Sequence, residues 1–175
     1  MSLFNIAGRA NGGVPGLSDT EGSFYTIRGY ERLRQDDKSV TPTMEDYLEM
    51  IFRLSNGRGF TRIGDLAGAL HVQPPSASKM VQKLAEVSFL NYEKYGVIEL
   101  TAQGRELGEY LVKRHETIER FLRFIGADRS VLEETEKIEH NLSTETVKQI
   151  MLMVQFMEDN QQLMEAFTAY KQRPI

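Results

Sequence analysis

Ile63-Gly-Asp-Leu-Ala-Gly-Ala-Leu-His-Val-Gln-Pro-Pro-Ser-Ala-Ser-Lys-Met-Val-Gln-Lys-Leu84 is the stretch that decides the fold. Its first part puts Ile63, Leu66, Ala67 and Leu70 on one face of a short helix, and its last part does the same with Ala77, Met80, Val81 and Leu84. Pro74 and Pro75 suit the first turn of the second helix, where the missing N–H has no partner to lose. Only His71, Val72 and Gln73 lie between the two, so the pair reads as helix, tight turn, helix.

Upstream, Thr41-Pro-Thr43 offers a cap and an N1 proline, with Thr43 read as the cap, to a helix carrying Tyr47, Leu48, Ile51 and Leu54; Asn56-Gly-Arg-Gly59 stops it. Downstream, Asn91-Tyr-Glu-Lys-Tyr-Gly-Val-Ile-Glu-Leu100 has strand preference on both sides of a Gly96 turn and reads as a two-stranded hairpin. Three helices followed by a small wing are the order of a winged helix-turn-helix. Thr101 can then cap a long helix striped with Leu107, Leu111, His115, Ile118, Leu122 and Ile125 and closed by Gly126. Further helices are expected from about Ser130 to Leu142, from the Ser143 cap through Val147, Ile150, Met151, Val154 and Met157, and from Gln161 to Tyr170. The fold class is therefore mainly α, a winged helix-turn-helix over residues 41–101 followed by an all-helical domain over 102–175. Residues 1–40 form a separate extension: glycine-rich to about residue 23, then a more aromatic run, Phe24 to Leu33, suited to a short strand or arm.

The chain has 175 residues, 41% of them hydrophobic, with a mean hydropathy of -0.39, which is ordinary for a protein that buries a core. It holds no run of the roughly 18 to 20 apolar residues that a membrane span needs, and no signal-peptide pattern, so a cytoplasmic location is expected. With no cysteine, thiolate chemistry and cysteine-based zinc or iron–sulfur sites are excluded. The formal net charge is -4 and no segment is basic overall, so bulk charge gives no hint of nucleic acid.

The local pattern does. The apolar positions of the third helix leave Ser76, Ser78, Lys79, Gln82 and Lys83 facing outward, with Gln73 at its entrance and Lys94 and Tyr95 on the wing tip. Serine and glutamine can bond base edges or phosphates, and lysine neutralises phosphate. A solvated helix face is the plainer alternative; the tight turn and adjacent wing favour DNA.

Candidate metal ligands lie in three places. Asp46 and Glu49 are i, i+3 on the first helix, His115 is on the fourth, and Glu136, Glu139 and His140 are i, i+3, i+4 on the fifth. Carboxylates with some imidazole suit a hard divalent ion. Each has an ordinary alternative: a carboxylate near a helix N-terminus for Asp46, a solvated side chain for Glu49, a core histidine for His115, an acidic helix face for the last set.

Thr43-Met-Glu-Asp-Tyr-Leu-Glu49, Ser78-Lys-Met-Val-Gln-Lys-Leu84, Asn91-Tyr-Glu-Lys-Tyr95, Leu100-Thr-Ala-Gln-Gly104, Arg114-His-Glu116 and Ile138-Glu-His-Asn-Leu-Ser143 together resemble the manganese-responsive members of the diphtheria-toxin-repressor family, over about Thr41 to Glu158. The resemblance implies a homodimer joined through its C-terminal helices, which makes the second domain a metal-binding and dimerisation domain. It also implies a palindromic double-stranded DNA operator gripped when metal is bound, and two divalent ions per subunit. The family's six ligand positions fall on Asp46, Glu49, His115, Glu136, Glu139 and His140. In the iron-responsive branch the position of Asp46 typically holds methionine and that of Glu136 cysteine, so oxygen donors at both point to Mn²⁺ over Fe²⁺ or Zn²⁺. The resemblance is to the shorter manganese type, so the SH3-like third domain of many iron-responsive members is not expected, and roughly forty residues precede the matching stretch.

The expected function is thus a Mn²⁺-responsive repressor of metal-homeostasis genes, not an enzyme. The alternatives are an iron- or zinc-responsive repressor of the same family, a binuclear metal hydrolase, and a regulator that senses an organic ligand. Because both histidines must be neutral to ligate, activation is expected to weaken below about pH 6.5.

Overall fold

The structure is a computed structural model that describes residues 40–92, 96–127 and 129–173. The expected arm at Phe24 to Leu33 and the wing-tip residues Lys94 and Tyr95 lie outside the described residues.

Helix α1 runs Pro42–Ser55, with Pro42 in its first turn and Thr41, not Thr43, as its cap: Thr41 Oγ1 accepts the Met44 N–H at 3.3 Å. The shift by two residues moves Asp46 into the second turn, where the helix dipole has faded and no longer accounts for a carboxylate. Gly57 and Gly59, with φ of 82° and 79°, turn the chain through conformations that side chains resist.

Strand β1, Phe60–Arg62, follows at once. It pairs antiparallel with β3, Val97–Leu100, which also pairs with β2, Leu90–Tyr92. The two expected antiparallel strands of the wing are present as β2 and β3, and a third strand that the sequence did not suggest, β1, joins them in the order β1-β3-β2. Three residues are too few to carry an alternation of their own; β1 exists because central β3 offers it a free edge.

Helices α2, Ile63–Ala69, and α3, Pro74–Glu86, make the helix-turn-helix. The turn closes with the Val72 N–H on the Ala67 carbonyl at 3.0 Å and places His71 at φ 54°. Leu48, Ile51, Leu66, Ala77, Val81, Leu84 and Ile98 are completely buried in the first core, where α1, α2 and α3 meet the sheet.

Helix α4, Ala102–Ile125, joins the two halves. Thr101 caps it, accepting the Gly104 N–H at 3.0 Å while its own hydroxyl donates to the Ser88 carbonyl at 2.8 Å. Gly104 and Gly108 let α4 approach the winged domain closely. A Cβ on Gly104 would overlap the Phe89 carbonyl, and one on Gly108 would stand 2.8 Å from Phe52 Cβ of α1. Leu111 of α4 belongs to the first core, whereas Ile118 and Leu122 enter a second one with Val131 and Val147. Those last two come from α5, Val131–Glu139, and α6, Thr144–Asp159.

Helix α5 is shorter than the expected Ser130 to Leu142; it ends at Glu139, with His140 as its C-cap residue. Helix α7, Gln161–Lys171, stacks Phe167 on Phe124 of α4 at 4.8 Å between ring centroids, and the Lys171 ammonium donates to the Phe124 carbonyl at 2.9 Å near the negative end of that helix. Leu152, Met153, Phe156 and Leu163 remain exposed on α6 and α7. Among the described residues no helix is long and apolar enough to cross a membrane.

Candidate metal centre

Six of the carboxylate and imidazole groups singled out in the sequence converge where α1, α4 and α5 pack together. Asp46, Glu136, Glu139 and His140 form one group, and Glu49, His115 and Glu139 another; within each group the potential ligand atoms lie within 4.8 Å of one another. The helical spacing explains each contribution. Asp46 and Glu49 rise on one face of α1, and Glu136 and Glu139 share a face of α5 that His140 extends past the helix end.

Glu139 belongs to both groups and is 1% exposed. Its Oε2 lies 3.0 Å from His115 Nδ1, and its Oε1 lies 3.5 Å from His140 Nε2. Glu136 Oε1 stands 3.8 Å from His115 Nδ1, and Asp46 Oδ1 stands 2.9 Å from His140 Nε2. Glu49 accepts from Arg53 of its own helix, at 2.9 Å from Nε and 2.8 Å from Nη2.

So many carboxylates in one half-buried space disturb proton affinities. Hydrogen bonds with Asp46 and Glu45 raise the pKa of His140 from 6.5 to about 9, against the opposing effect of burial. His115 is raised mainly by its hydrogen bond with Glu139, and Glu136 is raised by burial and then by the negative charge of Glu139. Proton affinities raised in this way favour the charged imidazole, which offsets part of the repulsion among the clustered carboxylates. Oxygen donors with one imidazole per group fit a hard or borderline divalent cation, and a buried carboxylate with one oxygen directed to each group fits a bridging role.

Two residues of the centre escaped the sequence reading. Glu45 and Arg114 form a buried ion pair, Arg114 Nη1 to Glu45 Oε2 at 3.0 Å, and the same Oε2 lies 3.0 Å from His140 Nδ1. A signal was present: Arg114 falls between Leu111 and Ile118 on the apolar stripe of α4, where a buried guanidinium requires a carboxylate.

On the winged domain Gln73, Ser76, Lys79, Gln82 and Lys83 are exposed along α3 and its entrance, while Ser78 is half-buried and less available than the sequence pattern suggests. Ala77, Val81 and Leu84 hold the opposite face in the core.

Known proteins match this architecture in two consecutive parts. The family model described as the iron dependent repressor, N-terminal DNA binding domain, matches residues 39–98, and that of the iron dependent repressor, metal binding and dimerisation domain, matches residues 101–166. The chain is 45% identical over 132 residues to the HTH-type transcriptional regulator MntR of Lysinibacillus sphaericus (strain C3-41), covering 75% of this chain and 95% of the relative. It is 42% identical over 134 residues to the HTH-type transcriptional regulator MntR of Geobacillus kaustophilus (strain HTA426), covering 76% and 95%. Among solved structures, that of the manganese regulator SloR superposes with a TM-score of 0.57 at 29% identity, over 67% of this chain and 55% of that one.

Proposed function

Because this chain belongs to the iron-dependent-repressor family, and is thus a metal-dependent DNA-binding transcriptional repressor with a dimerisation domain, we propose that it answers to Mn²⁺ through two ions per subunit. The observation that carries this reading is the position of Glu139, with one carboxylate oxygen toward each of two ligand groups drawn from α1, α4 and α5. Asp46, Glu136, Glu139 and His140 serve one ion, and Glu49, His115 and Glu139 the other. Bound cations supply the positive charge that lets these carboxylates share one space. Oxygen in place of sulfur at Asp46 and Glu136 suits manganese, and the relatives named MntR agree with that choice.

Asp46 and Glu49 stand on the helix that supports the DNA-reading half, whereas the other ligands stand on α4 and the end of α5. Drawing them together ties α1 to the dimerisation domain and limits how far apart two reading heads of a homodimer can move. A palindromic operator needs those heads at a fixed spacing of about 34 Å or a multiple. Gln73, Ser76, Ser78 and Gln82 read or position the groove, and Lys79, Lys83, Lys94 and Tyr95 meet the backbone. The repressor then acts in the cytoplasm on genes of metal homeostasis. Membership of a family of transcriptional regulators sets the hydrolase alternative aside.

Selection of random duplexes with Mn²⁺, Fe²⁺, Zn²⁺ or chelator tests this reading. A palindromic sequence enriched with Mn²⁺, absent with chelator, and bound with an affinity that falls steeply with salt is the expected result. Equal enrichment in chelator, or with Fe²⁺ or Zn²⁺ alone, overturns the metal assignment.

A further inference from the structure

His140 has two ring nitrogens, and only one can face a cation. Its Nε2 points into the ligand group, 2.9 Å from Asp46 Oδ1, while its Nδ1 points back into the protein, 3.0 Å from Glu45 Oε2. Glu45 is itself buried, at 8% exposure, and is gripped by Arg114, whose Nη1 donates to the same oxygen at 3.0 Å. Arg114 Nη2 stands 3.4 Å from His140 Nδ1 and 4.0 Å from Glu139 Oε1.

A carboxylate is a stronger acceptor than an imidazole nitrogen, so Nδ1 keeps its hydrogen and donates it to Glu45. The guanidinium then serves to hold the carboxylate still. None of these contacts needs a metal, since all are made by the chain alone. Glu45 and Arg114 are also 69 positions apart in sequence, one on α1 and the other on α4, so their bond crosses the same junction that the proposed ions would cross.

We propose that Glu45, clamped by Arg114, is a positioning residue that holds the His140 ring with Nε2 toward the cation before any cation arrives. This rests on the metal-binding reading of Asp46, Glu136, Glu139 and His140 above. Such partners behind a ligating histidine fix its tautomer and orientation, and their loss typically weakens metal binding by about 10- to 100-fold. The pair also prevents a flip of the ring about Cβ–Cγ, which would put Cε1 in place of Nε2 beside Asp46 and lose the ligand geometry.

The test uses the full chain with Glu45→Gln, and the double variant Glu45→Leu with Arg114→Leu. The double variant removes both buried charges together, which spares the fold the unpaired arginine that the single change leaves behind. Mn²⁺ affinity is measured directly, and ¹⁵N spectra of histidine-labelled protein loaded with Cd²⁺, a diamagnetic probe, report which nitrogen of His140 ligates. The wild type is expected to ligate through Nε2 with Nδ1 protonated. The variants are expected to lose about 10- to 100-fold in Mn²⁺ affinity and to show a mixture of Nε2 and Nδ1 ligation, which a general loss of stability would not produce. Pure Nε2 ligation at wild-type Mn²⁺ affinity in a folded double variant overturns the proposal alone. A wild type in which Cd²⁺ leaves the His140 nitrogens unshifted overturns the metal-binding reading, and the proposal with it.

Discussion

Glu139 faces His115 across the junction of α5 and α4 with its Oε2 3.0 Å from the ring Nδ1, and keeps its other oxygen for the group around His140. One carboxylate thereby belongs to two ligand sets, and its removal should cost more than that of any residue in one set. Glu139→Gln is expected to abolish binding of both ions, while His115→Ala leaves the ion held by Asp46, Glu136, Glu139 and His140. Mn²⁺ stoichiometry by electron paramagnetic resonance separates the cases. One ion retained by Glu139→Gln at wild-type affinity would exclude the bridging role.

Gly108 sits where α4 presses on α1, and a Cβ there would stand 2.8 Å from Phe52 Cβ. Gly108→Ala is expected to destabilise the fold by about 1–3 kcal/mol, as overpacking of a close contact does. Because the same two helices supply Asp46, Glu49 and His115, Mn²⁺ affinity should fall as well. Urea unfolding with and without Mn²⁺ measures both effects, and a variant as stable as the wild type would mean that α1 and α4 slide apart freely.

The pH response should lie higher than the sequence alone suggests. His140 has its pKa raised from 6.5 to about 9, so its contribution to the stability of the metal-free protein is complete below about pH 6.5 and is lost as pH rises through about 9. A cation held at Nε2 would displace that proton. Mn²⁺ affinity is therefore expected to keep rising between pH 7 and 9, instead of levelling off just above 6.5, while the melting temperature of the metal-free protein falls over the same interval. Calorimetry at pH 7.5 in buffers of different ionisation enthalpy should register release of about one proton from His140. Binding heats independent of the buffer would contradict the coupling.

Donor identity at Asp46 and Glu136 should set the choice of metal. Asp46→Met combined with Glu136→Cys replaces two hard oxygens by sulfur and is expected to weaken the Mn²⁺ response while keeping or improving that to Fe²⁺ or Co²⁺. The single Glu136→Cys should move part of the way. Operator affinity against buffered free metal, measured anaerobically, gives the ratio of half-activating Mn²⁺ to Co²⁺. An unchanged ratio would assign the selectivity to geometry.

What the sequence determined by itself is what neighbours along the chain decide. The helical stripes of α1, α3 and α4, the Thr101 and Ser143 caps and the Gly126 stop depend on residues within a turn or two, and they were legible. The i, i+3 and i, i+4 carboxylates were legible for the same reason, and the likeness of the surrounding motifs to a known family joined them into one set. The tertiary structure alone decided what depends on distant partners. Phe60–Arg62 became a strand only because β3 lay beside it, and Thr41 displaced Thr43 as the cap where the chain enters the body of the fold. Ser78 lost part of its exposure to packing, and α5 stopped at Glu139, leaving His140 to turn toward Asp46. Glu45 was invisible as anything but one more acidic residue of α1. Its role follows from Arg114, 69 positions away, because burying a charge is tolerable only where an opposite charge arrives from elsewhere in the fold.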